Sequence, residues 1–275
     1  MLIDAHVHLF PDRLANAIRD WFSQHAWKIE YLLSVDECVA ALKAGGVDRA
    51  VALPYAHKPG ISRALNDFTL QLSLRDPFVV PCCTVFPGED GAEALIDEAL
   101  AGSFRGVKIH SHVMKIAADD ARLDPVWRAS ARYRKPVVIH CGPEPAADGY
   151  GADVRALSGA DKLRRALDKH SDALAIVPHL GADQFAQFEA LLPDYPGLSL
   201  DTAMAISGYF DSQMKPPDLE MIRRWPGRIL YGTDFPNLPY DWQRELGVLR
   251  GLGLDAASLE QVLWRNAARL FGVPG

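Results

Sequence analysis

Leu2-Ile3-Asp4-Ala5-His6-Val7-His8 opens the chain, a short apolar run that ends in two histidines two residues apart. In an extended strand that spacing puts His6 and His8 on one face, where two imidazoles can converge on a single point. Alone, an H-x-H is a weak signal, as consistent with a hydrogen-bonded core pair as with a metal site. Its meaning depends on what the other strand ends carry.

Similar runs recur at Ala50 to Pro54, Phe78 to Phe86, Gly106 to Ile109, Pro136 to Ile139, Ala173 to Val177, Gly197 to Leu200 and Arg228 to Tyr231. Near-continuous apolarity suits strands buried on both faces of a parallel sheet. Segments with helical spacing lie between them. One carries Leu14, Ala17, Ile18, Trp21 and Phe22; another starts at the capping box Ser34/Glu37 and stops at Gly45-Gly46. The last has Ser258 and Gln261 as its box and a stripe of Leu259, Val262, Leu263, Ala267 and Leu270. Eight strands about 32 residues apart match repeated βαβ units. The count, and the lack of a Gly-rich fingerprint after the first strand, favour a distorted (β/α)8 TIM barrel over an open doubly wound sheet. Gly149-Tyr150-Gly151 lacks the third glycine of a nucleotide loop. No linker-like shift divides residues 1–275, so one domain is expected, and Gly142 to Gly159 reads as a long βα loop.

The chain has 275 residues, 49% of them hydrophobic and 23% charged, and 29 basic against 35 acidic side chains leave a net charge of −6. This is a soluble globular composition whose acidic balance disfavours a phosphate backbone as partner. No run approaches the roughly 20 residues that cross a bilayer, and Asp4 stands where a signal peptide would be basic. The mature N-terminus is expected near Met1. Cys38, Cys82, Cys83 and Cys141 form no C-x-x-C pair and read as reduced thiols of a cytoplasmic protein. The vicinal Cys82 and Cys83 should point to opposite sides of one strand.

Beyond His6 and His8, chemistry-bearing residues stand at four more strand ends: Lys108 and His110, His140, His179 and Asp234. Burying such groups without compensation costs several kcal/mol for an isolated charge. A divalent cation supplies that compensation, and imidazoles with one carboxylate suit zinc, and also manganese, iron or nickel. No G-x-S-x-G elbow is present, which disfavours a serine hydrolase.

His6-x-His8, V-V-I-H140-C-G, V-P-H179-L-G, Y-G-T-D234-F-P and the closing N-A-A-R-L-F-G at Asn266 to Gly272 together resemble the amidohydrolase superfamily. The likeness is to its amidohydrolase-related (amidohydrolase 2) branch, which includes aminocarboxymuconate semialdehyde decarboxylase and related decarboxylases, lactonases and hydratases. It runs from Ile3 to Gly272 and is specific for fold and metal site, though not for substrate. It implies one divalent metal held by His6, His8, His140 and Asp234, with His179 close to the metal as a catalytic group and Asp234 as proton acceptor. The metal would acidify a water; His179 would orient that water or stabilise the oxyanion. In binuclear relatives a carboxylated lysine of the fourth strand bridges two metals, but this branch is usually mononuclear. Lys108 is therefore expected as a plain cation that anchors a substrate carboxylate, sharing a face with His110. Relatives are often dimers, which makes a homodimer an expectation too.

Further residues fall on the same barrel face. Tyr55 and His57 are candidates for substrate binding, with Lys58, His112, Lys115, Glu144 and Asp201 as weaker pocket-lining positions. Trp21, Phe22, Trp27 and Tyr31 are expected to pack helices onto the barrel. The leading function is a metal-dependent hydrolase of a lactone, amide or ester in a small carboxylate-bearing substrate. A non-oxidative decarboxylase or other lyase uses the same ligands; the branch's decarboxylases tend to be longer, which tilts the choice to hydrolysis. A non-catalytic metal-binding barrel would be expected to have lost a site position, and none is lost.

Overall fold

The computed structural model describes residues 1–143, 147–213 and 215–274, so the candidate Glu144 lies outside the described residues. Parallel strands alternate with helices throughout. The first part runs β1 (Ile3–Val7), α1 (Asp12–His25), α2 (Val35–Ala44), β2 (Arg49–Ala52), α3 (Ser62–Arg75), β3 (Val79–Pro81), β4 (Cys83–Thr84), α4 (Ala92–Ala101) and β5 (Val107–His110). It continues with α5 (Ser111–Met114), α6 (Asp124–Tyr133), β6 (Val137–His140), α7 (Val154–Leu157), α8 (Ala160–Lys169), β7 (Ala175–Val177), α9 (Phe185–Glu189) and β8 (Leu198–Asp201). Last come α10 (Glu220–Arg224), β9 (Ile229–Leu230), α11 (Arg244–Gly251), α12 (Ala256–Glu260) and α13 (Asn266–Phe271).

Every strand pair is parallel, in the order β1-β2-β3 and then β4 through β9. The apolar run Phe78 to Phe86 holds two short strands rather than one, because the ladder changes partner at Cys82. The Cys82 N–H donates to Ala52 O at 3.1 Å, and that of Cys83 to Gly106 O at 2.9 Å. One barrel position is thus shared by β3 and β4. On the other side, Ala5 N–H donates to Tyr231 O, Asp234 N–H to His6 O and His8 N–H to Phe235 O, at 3.0, 2.9 and 2.8 Å. These bonds join the last strand position to the first, as an eight-position (β/α)8 barrel requires.

Alternation along the strands sorts the side chains into two layers. Val107, Ile109, Val137, Ile139, Val177 and Leu200 face the helices. Val51, Leu53, Val80, Cys82, Val138, Ile176 and Leu230 fill the barrel interior, closed off by Ala267, Leu270 and Phe271 of the last helix. Cys82 points inward and Cys83 outward, as expected. All four cysteines are free and buried. Among the described residues, no helix is long and apolar enough to cross a membrane.

Three helical expectations meet the structure differently. The Ser34/Glu37 capping box is present. The Ser258/Gln261 box is not: Asp255 caps the helix by accepting from the Ser258 N–H at 2.9 Å, and a π-helical turn, Gln261–Arg265, separates α12 from α13. The helix starts three residues earlier than the box implies, so Ser258 is its third residue and the Asp255 carboxylate takes the Ser258 amide as the N-cap. The third expectation concerns α1, none of whose residues is fully buried, although Leu14, Ala15 and Ile18 pack in part against the core. Trp21 and Phe22 line an open cleft instead of packing onto the barrel, and Trp27 lines a second one while its Nε1–H donates to Asn237 O. Only Tyr31 packs as expected, edge-on to Phe235.

Glu245 of α11 is fully buried in the helix layer, and its Oε1 accepts from the Tyr240 hydroxyl at 2.6 Å. Burial pushes its pKa from 4.5 up to about 8. The folded state therefore holds a proton that the unfolded chain releases, and stability falls as pH rises across that window. We expect Glu245→Gln to melt above the wild type at pH 8, with the gap narrowing toward pH 5; a pH-independent gap in Tm would contradict this.

Candidate metal centre

His6 and His8 do share a face, but not by simple alternation. Ile3 and Ala5 face the barrel interior and Val7 faces the helices, so the phase slips between Ala5 and Val7, where the β1–β2 register is irregular. This slip turns His6 inward together with His8. Gly232 makes room for it: a Cβ there would lie 2.8 Å from the His6 Cβ.

The inner ends of the strands then converge. His6 Nε2 and His8 Nε2 are 3.2 Å apart, and Asp234 Oδ1 lies 3.1 and 3.2 Å from them. The other nitrogen of each ring is fixed by an acceptor. His8 Nδ1–H donates to Leu53 O at 2.8 Å, and His6 Nδ1–H to Asp201 Oδ2 at 2.8 Å. With the protons on Nδ1, both Nε2 lone pairs and a carboxylate oxygen face one another, an arrangement that repels itself unless positive charge lies between them. Donors each about 2.0–2.2 Å from one ion necessarily stand roughly 3 to 3.5 Å from each other. The residues therefore fit a divalent cation, with each imidazole oriented by a hydrogen bond from its remote nitrogen as metal-bound histidines are.

Electrostatics agree. Burial alone would raise the Asp234 pKa, but the two imidazoles outweigh it and hold the group well below the ordinary carboxylate range. Burial lowers His8 and His179 and keeps both neutral. His6 goes the other way: burial and Lys108 act to lower it, and Asp201 and Asp234 together raise it. The acceptor cluster demands positive charge, which Lys108 beside it, a proton on His6 or an ion can supply.

Two acids that the sequence did not single out for this purpose build the frame. Asp201, expected to line the pocket, is instead fully buried behind it, because His6 takes one carboxylate oxygen and the backbone N–H groups of His179 and Ala203 take the other, at 3.0 and 3.1 Å. Asp4 accepts from the His6 N–H, the Thr233 N–H and the Thr233 hydroxyl, at 3.0, 3.2 and 2.6 Å. It ties the first ligand segment to the last. The signal that could have exposed it is an acid inside an otherwise apolar run. These bonds also hold strained backbone, since Asp234 and His179 have φ of 74° and 59°.

The remaining candidates spread over the pocket. Lys108 is buried, with Nζ 3.4 Å from His6 Nε2. His140 lies outside the tight three-residue cluster and lines the same pocket; its Nδ1 is 3.1 Å from His179 Nε2, whose ring donates from Nδ1 to Ala203 O at 2.7 Å. His110 stacks on His140 at 4.3 Å, and Tyr55 meets His8 and His110 edge-on. His57, Lys58 and Lys115 are exposed, and of these His57 lines the outer cleft only. His112 is buried and bonded to Ser158 Oγ, a wall residue rather than a solvated one. Phe22, Trp27, Tyr150 and Asn237 complete the pocket.

A barrel with imidazoles and a carboxylate gathered at the C-terminal strand ends defines a class of metal-site α/β enzyme folds. The amidohydrolase family model matches residues 3–273, and the chain belongs to that family. A search among curated proteins finds no match. Similar solved structures include an uncharacterised TIM-barrel protein from Bordetella bronchiseptica, 19% identical with TM-score 0.74, covering 99% of this chain and 98% of the other. A 2,6-dihydroxybenzoate decarboxylase from Rhizobium is 17% identical with TM-score 0.71, covering 100% and 99%. A 5-carboxyvanillate decarboxylase from Novosphingobium aromaticivorans, solved with bound manganese and a nitrobenzoic acid, is 16% identical with TM-score 0.71, covering 99% and 97%. At these identities the likeness is one of fold.

Removing the hydrogen bond that orients His6 should weaken ion binding without emptying the site. We expect Asp201→Asn to bind Mn2+ or Zn2+ roughly 10–100-fold more weakly than the wild type in a calorimetric titration. Unchanged affinity would show that Asp201 does not act through His6.

Proposed function

We propose that the chain is a mononuclear metal-dependent hydrolase that opens a lactone, amide or ester in a small carboxylate-bearing molecule. The observation that carries this is the self-repelling set of His6 Nε2, His8 Nε2 and Asp234 Oδ1 at the pocket floor, with Lys108 Nζ beside it. Two clefts meet there. One shares Phe22, Tyr55 and Tyr150 with the metal pocket, the other Trp27, His179 and Met204, so space extends to both sides of a scissile bond.

His6, His8 and Asp234, joined by His140, would hold a divalent ion, with zinc the first choice, which when bound would supply Lewis acidity and a water of lowered pKa. Asp234, kept ionised by its imidazole neighbours, accepts the proton of the attacking water and returns it to the leaving group. His179 keeps its proton on Nδ1 against Ala203 O, so in the neutral ring Nε2 is an acceptor. That Nε2 accepts from His140 Nδ1, 3.1 Å away, so to orient the water His179 takes the water in place of His140, and it has no proton on Nε2 to donate to an oxyanion. Lys108 pairs with the substrate carboxylate, while His110, Tyr55 and, further out, His57 flank the bound molecule.

A second reading, non-oxidative decarboxylation, draws on the placement of Lys108. With Nζ only 3.4 Å from His6 Nε2, a carboxylate paired to it lies at the ligand cluster itself, where a departing carboxyl group would be. Decarboxylases among the similar structures support it, and the length argument against it lapses, since the match spans 97–99% of two such chains.

Lactones, amides, esters and carboxylated aromatics should be screened side by side with metal-loaded protein, reading acid release and CO2. The hydrolytic account expects acid without CO2, lost at least 1,000-fold in Asp234→Ala; stoichiometric CO2 would replace it with the second reading. Lys108→Met is expected to raise KM at least tenfold with a smaller change in kcat, and an effect on kcat alone would remove its role as carboxylate anchor.

A further inference from the structure

Helix α1 buries none of its apolar stripe fully: Leu14 and Ile18 pack in part against the core, and together with Ala17, Trp21 and Phe22 they line an open cleft. The opposite wall is Tyr55, Val113 and Tyr150. A helix that carries such a stripe normally spends it on the core. Here part of the stripe is left to the cleft, and the far end of the helix is met by the loop after β6: Gly149 abuts α1 so closely that a Cβ on it would lie 2.7 Å from the His25 Cβ and 2.9 Å from the Trp21 ring. Trp21 and Tyr150 stack at 4.8 Å. The helix after β1 and the turn at Gly149-Tyr150 thus meet across the mouth of the barrel and roof it.

Size separates this cleft from its neighbour. The space under α1 is about 280 Å3, that beside Phe210 and Pro217 about 60 Å3, and the metal pocket itself about 30 Å3. An apolar cavity of ~150 Å3 holds one benzene ring. The α1 cleft therefore takes more than a single ring, whereas the other cleft has room for a few waters or a small leaving group. Phe22, Tyr55 and Tyr150 line both the α1 cleft and the metal pocket, so a molecule in one continues into the other.

We infer that the space beneath α1 is a substrate-body subsite, and that the substrate is a carboxylate-bearing molecule whose apolar part exceeds one aromatic ring, such as two rings or a ring with an alkyl chain. The carboxylate end lies at Lys108 and the apolar body under Trp21. This rests on the carboxylate-anchoring role proposed for Lys108, and the test separates the two.

Benzoate and 4-phenylbenzoate serve as probes, with binding to Mn2+-loaded protein followed by calorimetry and by Trp fluorescence. The second ring should tighten binding at least tenfold, since it is removed from water against an apolar wall. Trp21→Ala should bring the ratio of the two affinities close to one, and Gly149→Ala should lower it by forcing the roof apart. Leu74→Ala, an exposed leucine on α3, serves as the control and should leave the ratio unchanged. A ratio near one in the wild type, an undiminished ratio in Trp21→Ala, or no measurable binding of 4-phenylbenzoate at millimolar concentration overturns the subsite. If the ratio behaves as expected but neither probe weakens in Lys108→Met, the subsite stands and the anchoring role of Lys108 falls.

Discussion

Two imidazole lone pairs and a carboxylate oxygen held 3.1–3.2 Å apart, with their remote nitrogens already committed, form the constraint on which the rest depends. Nothing in a hydrophobic barrel favours such a cluster, so the surrounding structure has to impose it. The phase slip in β1 turns His6 inward, Gly232 lets the last strand approach, and Asp4 and Asp201 bind the backbone of the segments that carry the polar groups. Positive φ at Asp234 and His179 shows that the backbone accepts strain there.

Above this frame the chain changes character. The lower barrel interior is aliphatic and closed by the last helix, as a stability layer should be. The upper end is aromatic and histidine-rich, with Tyr55, Phe22, Trp27 and Tyr150 around the donor set. Low dielectric and fixed dipoles strengthen any charge placed at such a site. The same surroundings depress His8 and His179, which keeps nitrogen lone pairs available near neutrality.

Much of this was legible in the sequence, for a definite reason. Strand ends in a parallel barrel all open on one face, so His6, His8, Lys108, His110, His140, His179 and Asp234 could be gathered from periodicity alone. Local pattern failed where long-range contacts decide. Asp255 outcompeted Ser258 for a cap, and Cys82 split one apolar run between two ladders. On α1 periodicity reports an apolar face but not what it faces: Leu14 and Ile18 pack in part on the core, while Trp21 and Phe22 line a cleft. Asp4 and Asp201 went unrecognised as scaffold because their partners, Thr233 and His6, lie 229 and 195 residues away.

Elemental analysis of the purified chain, with stoichiometry per protein, tests the central claim most directly. Close to one equivalent of a divalent transition metal, lost in His6→Ala, is the predicted result. Close to two would make Lys108 a bridging ligand, against the mononuclear reading. No metal after reconstitution with zinc, manganese, iron or nickel would contradict the account, since the cluster would then be held together by Lys108 and a proton on His6.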